Sequence, residues 1–301
     1  MGFDLFPALY LANWALICFA RSLPSSGMRM VSPPCDGFDE YLVRWKLERD
    51  GDVIVTATSR LLPVRRAGRT AMLKIALVLE EERGGRLMAW WRGSGAARVL
   101  DRDGNALLLE RAQGERSLVD IACRGGDDEA SRIICAVVRD LHASRIENPP
   151  ELIPLARWFG DLESGAKRYG SNLLARCAHV GRELLAAQQD VVVLHGDIHH
   201  GNILDFGPRG WLAIDPKGLI GERGFEFANV FCNPRRDIVL SSGRLHRQLD
   251  IIEKAAGLNR IRLLKWILAY AGLSAIWRLD DGVDIELDLA VASIAAAELP
   301  S

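Results

Sequence analysis

An α+β fold in two parts, a small antiparallel-sheet lobe followed by a larger, mainly helical lobe, is predicted by three features of the chain. Short apolar runs broken by turn residues fill the stretch from Tyr41 to about Leu109. Long helical periodicity takes over beyond Gly114. One segment, Val191 to Pro216, interrupts the helices with apolar runs and polar clusters. At 301 residues the length admits one large or two medium domains. The divisions expected are an N-terminal extension and linker over 1–38, a small lobe over 39–112 and a large lobe over 113–301.

In the small lobe, Leu42 to Leu47, Val53 to Thr58, Leu61 to Arg65 and Ala71 to Leu79 read as strands of a meander, with a turn at Arg49-Asp50-Gly51-Asp52. Glu80-Glu81-Glu82, followed by Leu87, Trp90 and Trp91, predicts a helix whose first turn carries carboxylates where the helix dipole favours them. Two more strands, around Ala97 to Leu100 and Ala106 to Leu109, flank the turn Arg102-Asp103-Gly104-Asn105. In the large lobe, Ala130, Ile133, Ile134, Val137, Val138 and Leu141 recur at helical spacing within Asp127 to Ala143. Helices are expected again over Arg260 to Trp277 and Ile285 to Leu299.

Composition narrows the function classes. The chain is 49% hydrophobic and 26% charged with a formal net charge of -1, which offers no field to attract nucleic acid. The six cysteines include no C-x-x-C pair, so neither a zinc site nor a thioredoxin-type motif is written, and Cys232 reads as a packing residue. Reduced thiols and a cytoplasmic location are the expectation. Phe6 to Ala20 is apolar but lacks a basic flank, follows Asp4 and is interrupted by Asn13. Its length falls short of the roughly 20 residues that span a bilayer, so no stable membrane association is expected. The segment reads either as an accessory helix or as residues upstream of a start at Met28 or Met30, and Pro24 to Gly37 reads as a linker.

The chemistry is carried by VVVLHGDIHHGNILDFG, in which His195 and Asp197 are followed by Asn202. Phosphoryl transfer of the kinase type needs a carboxylate to accept or orient the substrate hydroxyl, and a carboxamide oxygen further along the same loop to reach Mg²⁺. Asp197 takes the first role and Asn202 the second. Asp205-Phe206-Gly207 spells a familiar metal-binding triplet but lies only three residues past Asn202, where the chain is still leaving the site. Gly207-Pro208-Arg209-Gly210 turns the chain and Trp211 to Ile214 return, so the hairpin ends Asn202 and Asp215 converge, and Asp215 is the metal ligand expected.

ATP phosphates need a cation, and Lys74 stands alone in the apolar strand Ala71 to Ala76, where an unpaired ammonium is costly. Glu81, ahead of Glu82, is its expected partner. Backbone groups of Glu110 and Ala112, in the stretch after the last small-lobe strand, are expected to meet adenine. No G-x-G-x-x-G is present, and Ala57 to Arg60, with Ser59 as the contact, is the expected phosphate-covering loop. The small lobe is thus assigned to nucleotide binding and the large lobe to catalysis and the acceptor.

From about Tyr41 onward the chain resembles the aminoglycoside phosphotransferases, and within them the streptomycin 6-kinase and hydroxyurea phosphotransferase group. The matching segments are Met72-Leu73-Lys74, Trp90-Trp91 with Gly95 to Arg98, Ala106 to Ala112, the Asp197 loop, and Gly210 to Pro216. Gly218 to Glu222 and Leu273 to Trp277 extend the likeness beyond generic relatives. The resemblance implies a bilobal protein-kinase-like fold, ATP and Mg²⁺ as cofactors, and an aminoglycoside as substrate. It further implies phosphorylation of streptomycin at the 6 position, conferring antibiotic resistance, with Asp197 as base and Asn202 and Asp215 on the metal. Phe225-Glu226-Phe227-Ala228-Asn229 departs from the expected Phe-Asp-Tyr-Ala-Asn by a methylene at Glu226, and Gly201 stands where Glu is common.

A cationic aminoglycoside calls for carboxylates, and Glu222, Glu226 and Asp280 are the expected acceptor contacts, with Trp277 either stacking on the substrate or filling the core. Acidic loops are more often simply solvated. His195 reads as a structural histidine bonding backbone, His199 and His200 as a solvated polar pair, and His142 as a satisfied internal histidine. Two other readings share the fold: a kinase of another hydroxylated metabolite, and a nucleotide-binding protein without turnover.

Overall fold

The computed structural model describes residues 37–143 and 147–300. The apolar segment Phe6 to Ala20 and nearly all of the expected linker lie outside the described residues. In the small lobe, helix α1 (Asp39–Arg44) precedes strands β1 (Leu47–Arg49), β2 (Ile54–Val55), β3 (Ser59–Arg66) and β4 (Arg69–Ala76). Helix α2 (Leu79–Trp91) and strands β5 (Val99–Asp103) and β6 (Ala106–Glu110) follow. The sheet is antiparallel in the order β1-β3-β4-β6-β5, with β2 on the same edge of β3 as β1.

The strand expected over Leu42 to Leu47 is a correction. Its period-two reading required Val43 to be inward, yet Val43 is 81% exposed. Phe38, Tyr41, Leu42 and Trp45 instead form a stripe at helical spacing, and Phe38 and Trp45 cap one face of the sheet with Leu62, Val64, Leu73 and Leu108. Strand alternation sets the rest. Ala71, Leu73 and Ile75 of β4 face that outer core, whereas Met72 faces the opposite side with Leu61, Leu107 and Leu109. Lys74, two residues from Met72, therefore points toward the large lobe.

In the large lobe, α3 (Leu118–Ile121) runs through a π-type turn (Ala122–Gly126) into α4 (Asp127–Leu141). Strand β7 (Ile153–Pro154), helices α5 (Leu155–Trp158), α6 (Gly160–Tyr169) and α7 (Asn172–Ala186), and strand β8 (Val191–Leu194) come next. Strands β9 (Ile203–Asp205) and β10 (Trp211–Ala213) pair antiparallel, and β11 (Leu219–Glu222) pairs with β7 and β8. A 3-10 segment (Arg223–Cys232) leads to α8 (Arg236–Val239), α9 (Arg244–Ala256), α10 (Arg260–Asp280) and α11 (Glu286–Glu298). Helix α10 is the axis of this lobe: Trp266 to Leu273 are buried on all sides, as expected of a helix surrounded by other elements. The lobes meet where Met72, Met88 and Leu109 pack with Phe206, Leu212 and Ile214 of the β9–β10 hairpin region.

Candidate active site

The loop between β8 and β9 is held rigid by one buried side chain. Glu226 accepts the backbone N–H of His195 and of Gly196, each at 2.8 Å, and its Oε2 lies 3.1 Å from His142 Nε2. Burial alone raises the Glu226 carboxyl, but the His142 contact and these amides outweigh it and hold the group below its ordinary value. His195 donates from Nε2 to the Ile214 carbonyl at 2.8 Å and accepts the Asp197 N–H at Nδ1, tying the loop to the end of β10. Burial keeps its imidazole neutral by lowering its pKa. Gly196 takes φ +87°, and a Cβ there would lie 2.7 Å from Leu219, so both conformation and space require glycine.

Asp197 is then oriented from two sides. Asn229 Nδ2 donates to Oδ1 at 2.8 Å, and Asn202 Nδ2 donates to Oδ2 at 3.2 Å and to the Asp197 carbonyl at 2.9 Å. Asn229 is itself fixed by Asn233, whose carbonyl accepts Arg244 Nη2 at 2.7 Å, and Arg244 is paired with Asp127 inside the lobe. The hairpin closes as its turn demands: the Ile214 N–H donates to the Asn202 carbonyl at 2.9 Å. Asp215 follows with φ +62°, a left-handed conformation that non-glycine residues adopt at a cost and that concentrates at functional sites.

Lys74 bridges the lobes, its ammonium ion-paired with both Glu81 and Asp215. Glu81 is steadied by the Thr58 hydroxyl, which donates to Oε1 at 2.8 Å. A second lysine, Lys217, stands beside this pair with Nζ 3.1 Å from Glu80 Oε1. Burial disfavours both ammoniums, but Asp215 with Glu81 for Lys74, and Asp215 with Asp197 for Lys217, hold both pKa values above the ordinary 10.5. Burial likewise raises Asp215 on its own, and Lys74 followed by Lys217 pulls it far below the carboxylate range. Glu80 is held up by burial, which Lys217 offsets only in part.

The structure brings Asp197, Asn202, Asp215, Lys74 and Glu81 into one cleft. Glu110 ends β6, with its N–H donating to Arg98 and its carboxylate engaged by the Arg98 N–H and Arg209. Ala112 lies against the apolar inter-lobe cluster. Ser59, the expected loop contact, is buried, with its hydroxyl 3.1 Å from that of Thr56 within the turn. Thr58, its neighbour, is the residue that reaches Glu81.

The structure gives other partners to the residues expected as acceptor contacts, Glu222, Glu226 and Trp277. Glu222 is buried against α10, accepting Arg262 Nε at 2.5 Å and Trp266 Nε1 at 2.8 Å. Glu226 is committed to the loop backbone. Trp277 is half-buried against the core, edge-on to Trp158, with Nε1 3.2 Å from Asp161. Asp280 is engaged by Arg168 and the Tyr169 hydroxyl at the end of α10. His199 and His200 are not solvated but buried: His199 Nδ1 accepts the Gly201 N–H, and burial drives its pKa down to about 4. Asp205 stands away from the cleft, its carboxylate held by Arg116 and the Gly207 N–H. Lys217, Glu80 and Asn229 carry no catalytic or binding role in the sequence reading, and Thr58 only a place in the expected phosphate-covering loop. Adjacency to Asp215 in Asp215-Pro216-Lys217 is the one signal that marks Lys217.

The donor set suits a hard divalent cation. Asn202 commits its amide nitrogen to Asp197, so its carboxamide oxygen is the atom offered to a metal, and its backbone carbonyl is bound by the N–H of Ile214, the residue before Asp215. Carboxylates of Glu80, Glu81, Asp197 and Asp215 face the ammoniums of Lys74 and Lys217, an excess of negative charge that Mg²⁺ would offset. Asn202 and Asp215 would hold that ion, which typically takes one or two carboxylates together with substrate phosphates. When bound, it would neutralise charge on those phosphates.

Residues 44–282 match the family described as aminoglycoside/hydroxyurea antibiotic resistance kinases. The chain belongs to this family. It is 48% identical to a streptomycin 3''-kinase of Klebsiella pneumoniae, over 84% of this chain and 97% of that protein. It is 31% identical to a streptomycin 6-kinase of Streptomyces griseus, over 85% of each chain. A hydroxyurea phosphotransferase of Kitasatospora aureofaciens is 33% identical over 86% of this chain and 76% of the relative. Among solved structures, the aminoglycoside phosphotransferase APH(4)-Ia in complex with ADP and hygromycin B superposes with a TM-score of 0.58 at 14% identity, covering 86% of this chain and 94% of that one. A Plasmodium vivax ethanolamine kinase superposes at 0.59 and 13%, covering 86% and 84%. The fold is thus the two-lobed, protein-kinase-like one of these enzymes. Among the described residues, no helix is long and apolar enough to cross a membrane.

Proposed function

We propose that the chain transfers the γ-phosphoryl group of ATP to a hydroxyl of streptomycin, with the 3''-hydroxyl as acceptor. The observation that carries the chemistry is the Asp197 carboxylate, held by Asn229 and Asn202 beside Asp215 and the Lys74–Glu81 pair. Such an arrangement works by positioning and electrostatics, which is what phosphoryl transfer requires. Asp197 accepts the acceptor's proton, Lys74 meets the nucleotide phosphates, and Asn202 with Asp215 holds Mg²⁺. Adenine takes the apolar seam near Met72, Leu109 and Ile214, against the backbone of Glu110 and Ala112. The work is done in the cytoplasm, where ATP is available.

The regiochemistry rests on the 48% identity to a streptomycin 3''-kinase, against 31% and 29% for two streptomycin 6-kinases. The 6-hydroxyl expected from the sequence resemblance is therefore the second reading. Purified protein with Mg²⁺ and ATP is to be assayed for ADP release with streptomycin, kanamycin, hydroxyurea and no acceptor, and the product mapped by phosphorus-coupled NMR. Streptomycin-dependent turnover, lowered ~10²-fold or more in Asp197→Ala, supports the reading. Phosphate on the 6 position selects the second acceptor. Nucleotide binding with no turnover on any acceptor overturns the reading.

A further inference from the structure

The loop from His195 to Asn202 contains no lysine or arginine. A phosphoryl group in transit spreads negative charge over three oxygens, and cations aimed at that charge lower the barrier. Lys74 is committed on the nucleotide side, between Glu81 and Asp215. Among the described residues, the other ammonium in the cleft is that of Lys217, 5% exposed at its side chain. Its Nζ lies 3.1 Å from Glu80, the neighbour of Glu81, and Glu81 and Asp215 together hold Lys74, so this ammonium stands beside the cluster that meets the nucleotide. A phosphoryl group passing from that cluster toward an acceptor at Asp197 would pass near it.

Its setting is built rather than incidental. The Lys217 N–H donates to the His195 carbonyl at 2.7 Å, fixing this residue to the catalytic loop. Helix α2 approaches the same segment closely enough that a Cβ at Gly84 would lie 2.2 Å from the Pro216 carbonyl. This contact brings Glu80 to within 3.1 Å of the ammonium. Glu80 and Glu81 thus each serve one lysine from the same helical turn, and the Glu80 contact is a single one on a group with three donors.

We infer that Lys217 is a catalytic residue, which Glu80 holds in the cleft and which donates to a non-bridging oxygen of the phosphoryl group during transfer. This deepens the proposed kinase reading and rests on it. In the step, the acceptor oxygen forms a bond to the γ-phosphorus and the bridging bond to the β-phosphate breaks, its electron pair leaving on ADP. The hydroxyl proton passes to Asp197, and Lys217 remains protonated throughout.

The test compares Lys217→Met, Glu80→Gln and the double variant Glu80→Gln/Lys217→Met, which leaves no buried charge of the pair behind. Each is measured for kcat and KM with streptomycin, for acceptor-independent ADP release, and for binding of a fluorescent ATP analogue with Mg²⁺. The expected result is a kcat lowered ~10²-fold or more in Lys217→Met and in the double variant, as for loss of one donor to developing charge. Nucleotide affinity stays within a few-fold, and Glu80→Gln keeps kcat within about 10-fold. Equal losses in Glu80→Gln and Lys217→Met make the pair a strut between α2 and the loop and overturn the inference. A double variant with wild-type kcat also overturns it, and that variant decides the question if Lys217→Met does not fold. Absence of ADP release from the wild type on any acceptor or on water defeats the kinase reading itself, a different outcome from an active wild type with an equally active Lys217→Met.

Discussion

Glu222 and Glu226 lie one helical turn apart in sequence, both are almost wholly buried, and both accept several hydrogen bonds, yet they do opposite work. Glu226 grips the backbone at His195 and Gly196 and so sets where Asp197 sits. Glu222 faces the other way, joining β11 to α10 through Arg262 and Trp266. The same residue type in the same segment is thus a positioning group in one case and a brace in the other. Charge and proximity to the active-site sequence do not separate them; the partner does.

Replacing each with glutamine breaks this comparison most sharply. Glu222→Gln leaves Arg262 without its carboxylate and is expected to cost about 3 kcal/mol of stability, with kcat of the folded protein unchanged. Glu226→Gln puts an amide donor against a backbone N–H, and kcat is expected to fall about 10-fold or more through displacement of Asp197. Denaturant unfolding and steady-state kinetics on both variants check this. Equal kcat values for the two would remove the positioning role of Glu226.

Acid should loosen the catalytic loop. His195 and His199 are buried with pKa values below the ordinary 6.5, His199 at about 4. For such groups the unfolded chain binds the proton first. Their stabilisation is therefore complete above 6.5 and is lost as pH falls below it, for His199 down to about 4. For His199 the loss approaches about 3 kcal/mol. Glu226, depressed below its ordinary 4.5, contributes stability above that value and loses it at still lower pH. Unfolding free energy measured from pH 7.5 to 4.5 should fall, and His199→Asn should flatten the slope. An unchanged slope in the variant would contradict the assignment.

What could be read from the sequence follows from how local the cause is. Lys74 announces itself because a charge in the alternation of Ala71 to Ala76 demands a partner, and the acidic turn that supplies it begins a few residues later. The pairing of Asn202 with Ile214, the residue before Asp215, follows from a short hairpin, and register fixes it. Those are local constraints. Glu222 finds Arg262 forty residues on, and Glu226 finds His142 eighty-four residues back. No spacing rule reaches that far, so their burial was illegible and solvent-facing roles were the natural expectation. Helix α1 failed for a different reason: Val43, Trp45 and Leu47 alternate like a strand, while the true stripe of Phe38, Tyr41, Leu42 and Trp45 begins before the apparent run.

Asp280 gives the smallest expected effect and the cleanest check on the acceptor side. Unlike Glu222 and Glu226, its side chain is 20% exposed, and it pairs with Arg168, itself 60% exposed, at the surface end of α10. An ion pair of that kind is worth about 0–1 kcal/mol, because water solvates both partners well when they separate. Asp280→Asn is therefore expected to shift stability by no more than that and to leave KM for streptomycin unchanged, since the carboxylate is occupied by Arg168 and the Tyr169 hydroxyl. A cationic substrate would have to displace that arginine to use it. A KM raised 10-fold or more with unchanged kcat would mean that it does so, since that pattern marks lost ground-state binding, and would return Asp280 to the acceptor site.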